Sequence, residues 1–133
     1  MHELAGKALR FACVGLLATA VHVGIFCFAT LVGDINPTIA TAIAFLVALT
    51  TSYALNHAWT FQMSGGHRRY FTRYLIIALT GSALNMTIMF LCTSVIGWSP
   101  YVGLAIVVLT IPPLSFLGNL FWGFTRVDPK KNK

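Results

Sequence analysis

Two trios of residues recur at one spacing in the two halves of this 133-residue chain. They are Ser52, Asn56 and Trp59 in the first half and Ser115, Asn119 and Trp122 in the second. Positions i, i+4 and i+7 lie on one face of an α-helix. Amide N–H groups donate hydrogen bonds to anionic oxygens, so these two faces are candidates for binding a phosphate group.

An arginine precedes the first apolar run of each half. Arg10 and Arg73 are predicted to begin the first and third helices, where free backbone N–H groups and the positive end of the helix dipole favour anions. If the two halves meet around a common axis, both arginines and both asparagines surround one site. Such a site suits a phosphodiester, which carries a single negative charge.

Acidic residues are too few for acid–base catalysis. The chain has only Glu3, Asp34 and Asp128, and no carboxylate pair lies within an apolar run. No motif for nucleophilic, zinc-dependent or phosphate-loop chemistry is present in the sequence. The three cysteines all lie in apolar runs and are interpreted as small apolar residues. We therefore expect no enzyme activity, no catalytic residue, no metal and no cofactor.

The composition indicates a membrane protein. Apolar residues make up 57% of the chain and charged residues 9%, whereas about 25% is usual for charged residues in a soluble domain. Four apolar runs, near residues 11–33, 38–61, 74–97 and 101–124, reach the length of about 20 residues that crosses a bilayer. The sequence predicts an all-α membrane protein with four transmembrane helices. This excludes a soluble enzyme and, despite the net charge of +6, a nucleic-acid-binding module.

Basic residues lie only at the N-terminus, in the middle loop (residues 62–73) and in the C-terminal tail. By the positive-inside rule, both termini and this loop are cytoplasmic, in a multi-pass protein of the cytoplasmic (inner) membrane. Seven aromatic residues are predicted to form a belt at the inner membrane interface. They are Trp59, Phe61, Tyr70, Phe71, Tyr74, Trp122 and Phe124.

The chain repeats itself at a shift of 63 residues without a gap. The shift matches Arg10 with Arg73, Asn56 with Asn119 and Trp59 with Trp122. The two copies cover about residues 10–61 and 73–124 of a single domain, residues 1–133. Because each copy contains two spans, both copies start on the same side of the membrane. The sequence thus predicts two parallel repeats.

Polar residues also occur near the middle of the spans. His22 and its repeat partner Asn85 would line a path for a polar headgroup, or they would form a single hydrogen bond across the bundle. Pro112 and Pro113 remove two backbone donors from the fourth helix and predict a kink. A ladder of small residues, Ala40, Ala44 and Ala48, indicates close helix packing.

A purely structural interpretation of the candidate site remains open. Arginine beside a span commonly fixes topology and anchors the helix at the interface. Asparagine in a span commonly joins helices by hydrogen bonds, and tryptophan commonly anchors a span at the interface. Repetition alone does not decide between the two interpretations, because a repeated scaffold also repeats its structural contacts.

Two segments resemble the GtrA-like family. The segment RFACVGLLAT, which begins at Arg10, is similar to the family's RF..VG...T opening. The segment SYALNHAWTF, which begins at Ser52, is similar to its SY.LNR.WTF motif. The resemblance extends over essentially the whole chain. At one position the chain departs from the pattern, because His57 replaces the usual arginine.

The resemblance implies a protein that flips a polyprenyl-phosphate-linked monosaccharide to the outer leaflet for cell-surface polysaccharide synthesis. The two arginines, the two trios and His57 would bind the phosphate and the headgroup of this lipid. The alternative is a non-transporting membrane subunit that docks a polyprenyl-phosphate glycosyltransferase. A small-molecule exporter is less favoured, because the first span has no acidic residue. Four helices bury little surface, so we expect a homo-oligomer.

The topology can be tested by cysteine labelling in intact cells. We expect a membrane-impermeant thiol reagent to label Asp34→Cys, which lies in a predicted outer loop. It should leave Lys131→Cys in the predicted cytoplasmic tail unlabelled until the cells are permeabilised. The reverse pattern would contradict the predicted orientation.

Overall fold

The computed structural model describes residues 1–126, except for the side chains at positions 37 and 38. This part of the chain contains four α-helices and no strand. They are α1 (His2–Leu31), α2 (Pro37–Leu55), α3 (His67–Phe90) and α4 (Pro100–Gly118). Four helical segments are long and apolar enough to cross a membrane, which confirms the predicted all-α membrane fold. Lys130, Lys131 and Lys133 of the predicted cytoplasmic tail lie outside the described residues.

Three of the four α-helices continue into a short π-helical turn. We name these turns π1 (Asn56–Thr60, after α2), π2 (Leu91–Val95, after α3) and π3 (Asn119–Gly123, after α4). A π-helical turn has i→i+5 hydrogen bonds and is frequent at functional sites. The Phe61 N–H, for example, donates to the Asn56 carbonyl at 2.8 Å. The apolar runs of the sequence did not predict these turns.

The helices form two compact units, each of them a helical hairpin. The first unit, Met1–Gly65, contains α1, α2 and π1, and its two helices pack along each other. The second unit begins at Gly66 and contains α3, π2, α4 and π3. Both α2 and α4 begin at a proline, and π1 and π3 both begin at an asparagine. These starts lie at the 63-residue shift of the sequence repeat.

The predicted helix starts at Arg10 and Arg73 are wrong. Helix α1 begins at His2 and α3 at His67, so both arginines lie inside helices. An apolar run marks the depth of the membrane, whereas a helix extends as far as backbone hydrogen bonds continue. In α1 the polar first turns are supported by an ion pair, with Lys7 Nζ 2.9 Å from Glu3 Oε1. Backbone N–H groups at Arg10 and Arg73 therefore do not contribute to an anion site.

Small residues make the closest packing in the first hairpin. Ala40, Ala44 and Ala48 are buried along one face of α2, while α1 buries Val14 and Ala29. Small side chains let helix backbones approach, which is the usual source of association between helices in lipid. In the second hairpin α4 continues without interruption through Pro112 and Pro113. Most large apolar side chains on α1 and α3 face outward, as expected for contact with lipid.

A larger residue in the alanine ladder should loosen the first hairpin. Ala44 has no exposed surface, so we expect Ala44→Leu to lower the free energy of unfolding by about 1–3 kcal/mol through overpacking. Thermal unfolding in detergent measures the change. Ala42→Leu is the matched control, because Ala42 lies exposed on the same helix. Equal melting temperatures for the two variants would contradict the packing described for α2.

Candidate phosphate-binding site

In the first hairpin, an arginine of α1 binds the end of the following helix. Arg10 Nη1 donates a hydrogen bond to the Trp59 carbonyl at 3.2 Å. The Arg10 guanidinium carbon also lies 5.7 Å from the centre of the Trp59 ring, within the range of a cation–π interaction. Trp59 belongs to the last helical turn, π1, where carbonyl groups lack partners further along the helix. The positive charge also matches the negative end of the helix dipole.

The second hairpin has the same arrangement. Arg73 Nη1 donates to the Trp122 carbonyl at 3.0 Å, and its guanidinium carbon lies 5.4 Å from the centre of the Trp122 ring. We call these two contacts the Arg–Trp pairs. Each tryptophan side chain is about half exposed, at 46% for Trp59 and 44% for Trp122. An arginine has five N–H donors, so each guanidinium keeps donors that could meet a phosphate group bidentately.

The asparagine of the first hairpin is buried. Asn56 is only 1% exposed. Its Nδ2 donates to Ser52 Oγ at 3.4 Å, and Thr60 Oγ1 donates to its Oδ1 at 2.8 Å. Ser52 and Asn56 therefore face the protein, while Trp59 reaches the surface. The members of this trio thus differ in burial, and a shared role in binding phosphate stays a prediction.

The asparagine of the second hairpin is buried with one acceptor unpartnered. Asn119 is 2% exposed, and its Nδ2 donates to the Ser115 carbonyl at 2.9 Å. Its Oδ1 has no hydrogen-bond partner in the described chain. Gly123 occupies the position that Thr60 has in the first repeat, so the donating hydroxyl is missing. A Cβ at Gly123 would lie 2.5 Å from Asn119 Oδ1, so a larger residue here would force the Asn119 side chain to shift.

A comparison with protein families identifies the family of this chain. The family model described as "GtrA/DPMS, transmembrane domain" matches residues 10–124. The chain belongs to this family. The match confirms the resemblance seen in the two sequence motifs, and it is consistent with a membrane protein of polyprenyl-phosphate sugar processes. No solved structure matches the chain.

His57 is the residue at which the chain departs from the GtrA-like motif. Its side chain is buried, and Nε2 donates to the Gly65 carbonyl at 2.9 Å. The imidazole ring also packs on Tyr53, with ring centres 5.5 Å apart. His57 thus holds the segment after π1 against α2, and this ring nitrogen is engaged within the hairpin. A role for His57 in binding phosphate stays a prediction.

The two residues predicted to line a path lie in different surroundings. His22 is partly buried and lines a groove of about 230 Å³ in the first hairpin, with Thr19, Phe45 and Leu49 among its other residues. Asn85 is exposed on α3. Within its own hairpin, neither side chain has a hydrogen bond among the described residues. Both remain candidates for contact with a polar headgroup.

Three members of the predicted aromatic belt are buried instead. Tyr70, Tyr74 and Phe124 form a cluster in the second hairpin, in which Phe124 lies 6.1 Å from Tyr70 and 5.8 Å from Tyr74 between ring centres. Aromatic rings at these separations stabilise one another. Hydropathy does not distinguish an aromatic residue at the interface from one that closes a hairpin. Thr60 and Gly123 were not among the predicted site residues, although they differ between the two repeats.

The buried hydrogen bond of the first hairpin can be tested by removing its hydroxyl donor. Thr60→Val leaves Asn56 Oδ1 without that donor, so we expect a loss of about 1–3 kcal/mol in the free energy of unfolding. Thr50→Val is the matched control and should change it by less than about 0.5 kcal/mol. Thr50 is exposed and donates only within its own helix. Similar losses in both variants, measured by thermal unfolding in detergent, would argue against a structural role for Asn56.

Proposed function

We propose that this protein flips a polyprenyl-phosphate-linked monosaccharide from the inner to the outer leaflet of the cytoplasmic membrane. The observation that carries the proposal is the Arg–Trp pair, which occurs in both hairpins with nearly the same geometry. Membership of the GtrA/DPMS family supports the substrate class. The flipped lipid would supply sugar for cell-surface polysaccharides.

The Arg–Trp pair suits the headgroup of such a lipid. The carbonyl contact holds the guanidinium in place before the ligand arrives, which reduces the entropy lost on binding. The remaining N–H donors can then bind two phosphate oxygens. Beside them, the half-exposed indole offers a flat apolar surface with a polar N–H at its edge, suited to the boundary between membrane and water. Within each unit, recognition therefore depends on Arg10 and Arg73 more than on the buried asparagines.

Transport of this kind needs recognition and passage rather than a chemical step. We propose that both termini are cytoplasmic, so that the Arg–Trp pairs lie at the inner interface. The sugar would pass His22 and Asn85 while the prenyl chain stays in lipid. An anion that leaves a negative interior gains about 2.3 kcal/mol per charge per 100 mV. Use of the product outside the membrane would drive the process further.

Lysine substitutions test this role of the arginines. Arg10→Lys and Arg73→Lys keep the positive charge but lose the planar fork, so we expect each to slow flipping by about tenfold or more. Flipping is measured with the lipid-linked sugar in reconstituted vesicles, and melting temperature is recorded beside it. Arg68→Lys is the matched control, because Arg68 is exposed near the start of α3. We expect this variant to flip the lipid at the normal rate.

The outcomes separate the functional interpretation from the alternatives. Loss of flipping at an unchanged melting temperature supports phosphate binding by that arginine. Flipping that falls only in proportion to the folded fraction indicates a structural clamp and contradicts the proposed role. Absence of flipping by the unaltered protein, together with binding of a glycosyltransferase, would favour the docking subunit.

A further inference from the structure

The second hairpin contains an apolar groove between its two helices. It has a volume of about 250 Å³ and opens along α3 and α4. Most of its surface is aliphatic, with Ile77 and Leu84 on α3 and Ile111 and Leu114 on α4. An apolar cavity of about 150 Å³ can accommodate a benzene ring. This groove therefore has room for a five-carbon isoprene unit and part of the next.

Two glycines keep the groove open. A Cβ at Gly118 would lie 3.5 Å from Ile77, and a Cβ at Gly81 would lie 3.5 Å from Ile111. Both are ordinary van der Waals distances, so each position accepts a Cβ, and both glycines line the groove. In the first repeat the position of Gly118 is taken by Leu55. In the first hairpin the groove that His22 lines includes neither Arg10 nor Trp59. A separate cavity of about 310 Å³ beside Arg10 is lined mainly by polar residues, among them Glu3 and Lys7.

The Arg–Trp pair of the second hairpin lies at one end of this groove. Trp122 itself lines the groove, and Arg73 contacts both the ring and the carbonyl of Trp122. Arg73 also precedes Ile76 and Ile77, the first groove residues of α3, by about one helical turn. A cation thus stands beside the end of an apolar groove. This arrangement matches an amphiphile with an anionic head and a hydrocarbon chain.

We infer that this groove binds the isoprene units next to the phosphate of a polyprenyl phosphate, with the phosphate on Arg73. The inference rests on the proposed function and assigns its lipid to the second hairpin. The two repeats then have different roles in binding the lipid. The second binds the prenyl chain near its phosphate, and the first offers an arginine without a matching groove.

Photolabelling of the full chain tests this assignment. The probe is a fifteen-carbon isoprenyl phosphate that carries a diazirine on its first isoprene unit, in phosphatidylcholine vesicles. We expect labels on peptides from residues 76–84 and 111–118. An excess of unlabelled isoprenyl phosphate should compete for labelling. Phosphatidylglycerol, which has an anionic head on acyl chains, should compete poorly, and equal competition by it would assign the groove to general anionic lipid and overturn the inference.

Filling the groove should weaken the labelling. Gly118→Leu introduces the residue that the first repeat has at this position, and each methylene contact that the ligand loses weakens binding about fourfold. We expect half-saturation of labelling to rise by about tenfold or more. Gly24→Leu is the matched control, because a Cβ at Gly24 would meet nothing within 4 Å. Gly81→Leu fills the same groove from α3 and provides an independent test if Gly118→Leu fails to insert.

Flipping measured in the same vesicles distinguishes the two levels of the proposal. If the unaltered protein flips the lipid-linked sugar but the probe labels α1 and α2, or both groove variants label normally, the groove assignment is overturned and the function stands. If the unaltered protein does not flip the lipid, the proposed function fails whatever the labelling pattern.

Discussion

Each hairpin depends on a hydrogen bond that satisfies a carbonyl group at a helix end. Inside a membrane the backbone must satisfy its own polar groups, and at a helix C-terminus the last carbonyls have no partner further along the chain. Arg10 supplies such a partner to the Trp59 carbonyl from the preceding helix of its hairpin. Arg73 does the same for the Trp122 carbonyl, which also accepts from the Thr125 N–H at 3.5 Å. One long side chain therefore joins the two helices, neutralises the negative end of the dipole and lies against an indole ring.

This contact reconciles the structural and the functional interpretation of the arginines. A guanidinium that donates one hydrogen bond to a carbonyl is anchored, and its other donors are already oriented for a ligand. The asparagine amides have fewer donors than a guanidinium, so they are less able to stabilise the hairpin and bind a ligand at the same time. Asn56 uses its amide oxygen on Thr60 and its amide nitrogen on Ser52 inside the protein. We therefore assign phosphate binding mainly to the Arg–Trp pairs and not to the buried amides of the asparagines.

The two hairpins have equivalent helix ends but differ in the side chains between their helices. Thr60 of the first repeat corresponds to Gly123 of the second, and Leu55 corresponds to Gly118. With glycine at both positions, the second hairpin has an unpartnered buried acceptor on Asn119 and a groove lined by Gly118 and Trp122. Both differences remove side-chain atoms from the second hairpin. Both copies of the repeat therefore have the Arg–Trp contact at the helix end, while the second copy also has space for a ligand beside it.

The amino-acid sequence alone determined the four spans and the all-α class, because the length of an apolar run can be read directly from the chain. It also determined that Arg10 and Arg73 occupy equivalent positions of the 63-residue shift. It did not determine where α1 and α3 begin, since polar helical turns continue beyond an apolar run. It also did not show that Asn56 and Asn119 are buried or that Tyr70, Tyr74 and Phe124 form a cluster. The tertiary structure decided those features, because a side chain's surroundings depend on the helix that packs against it.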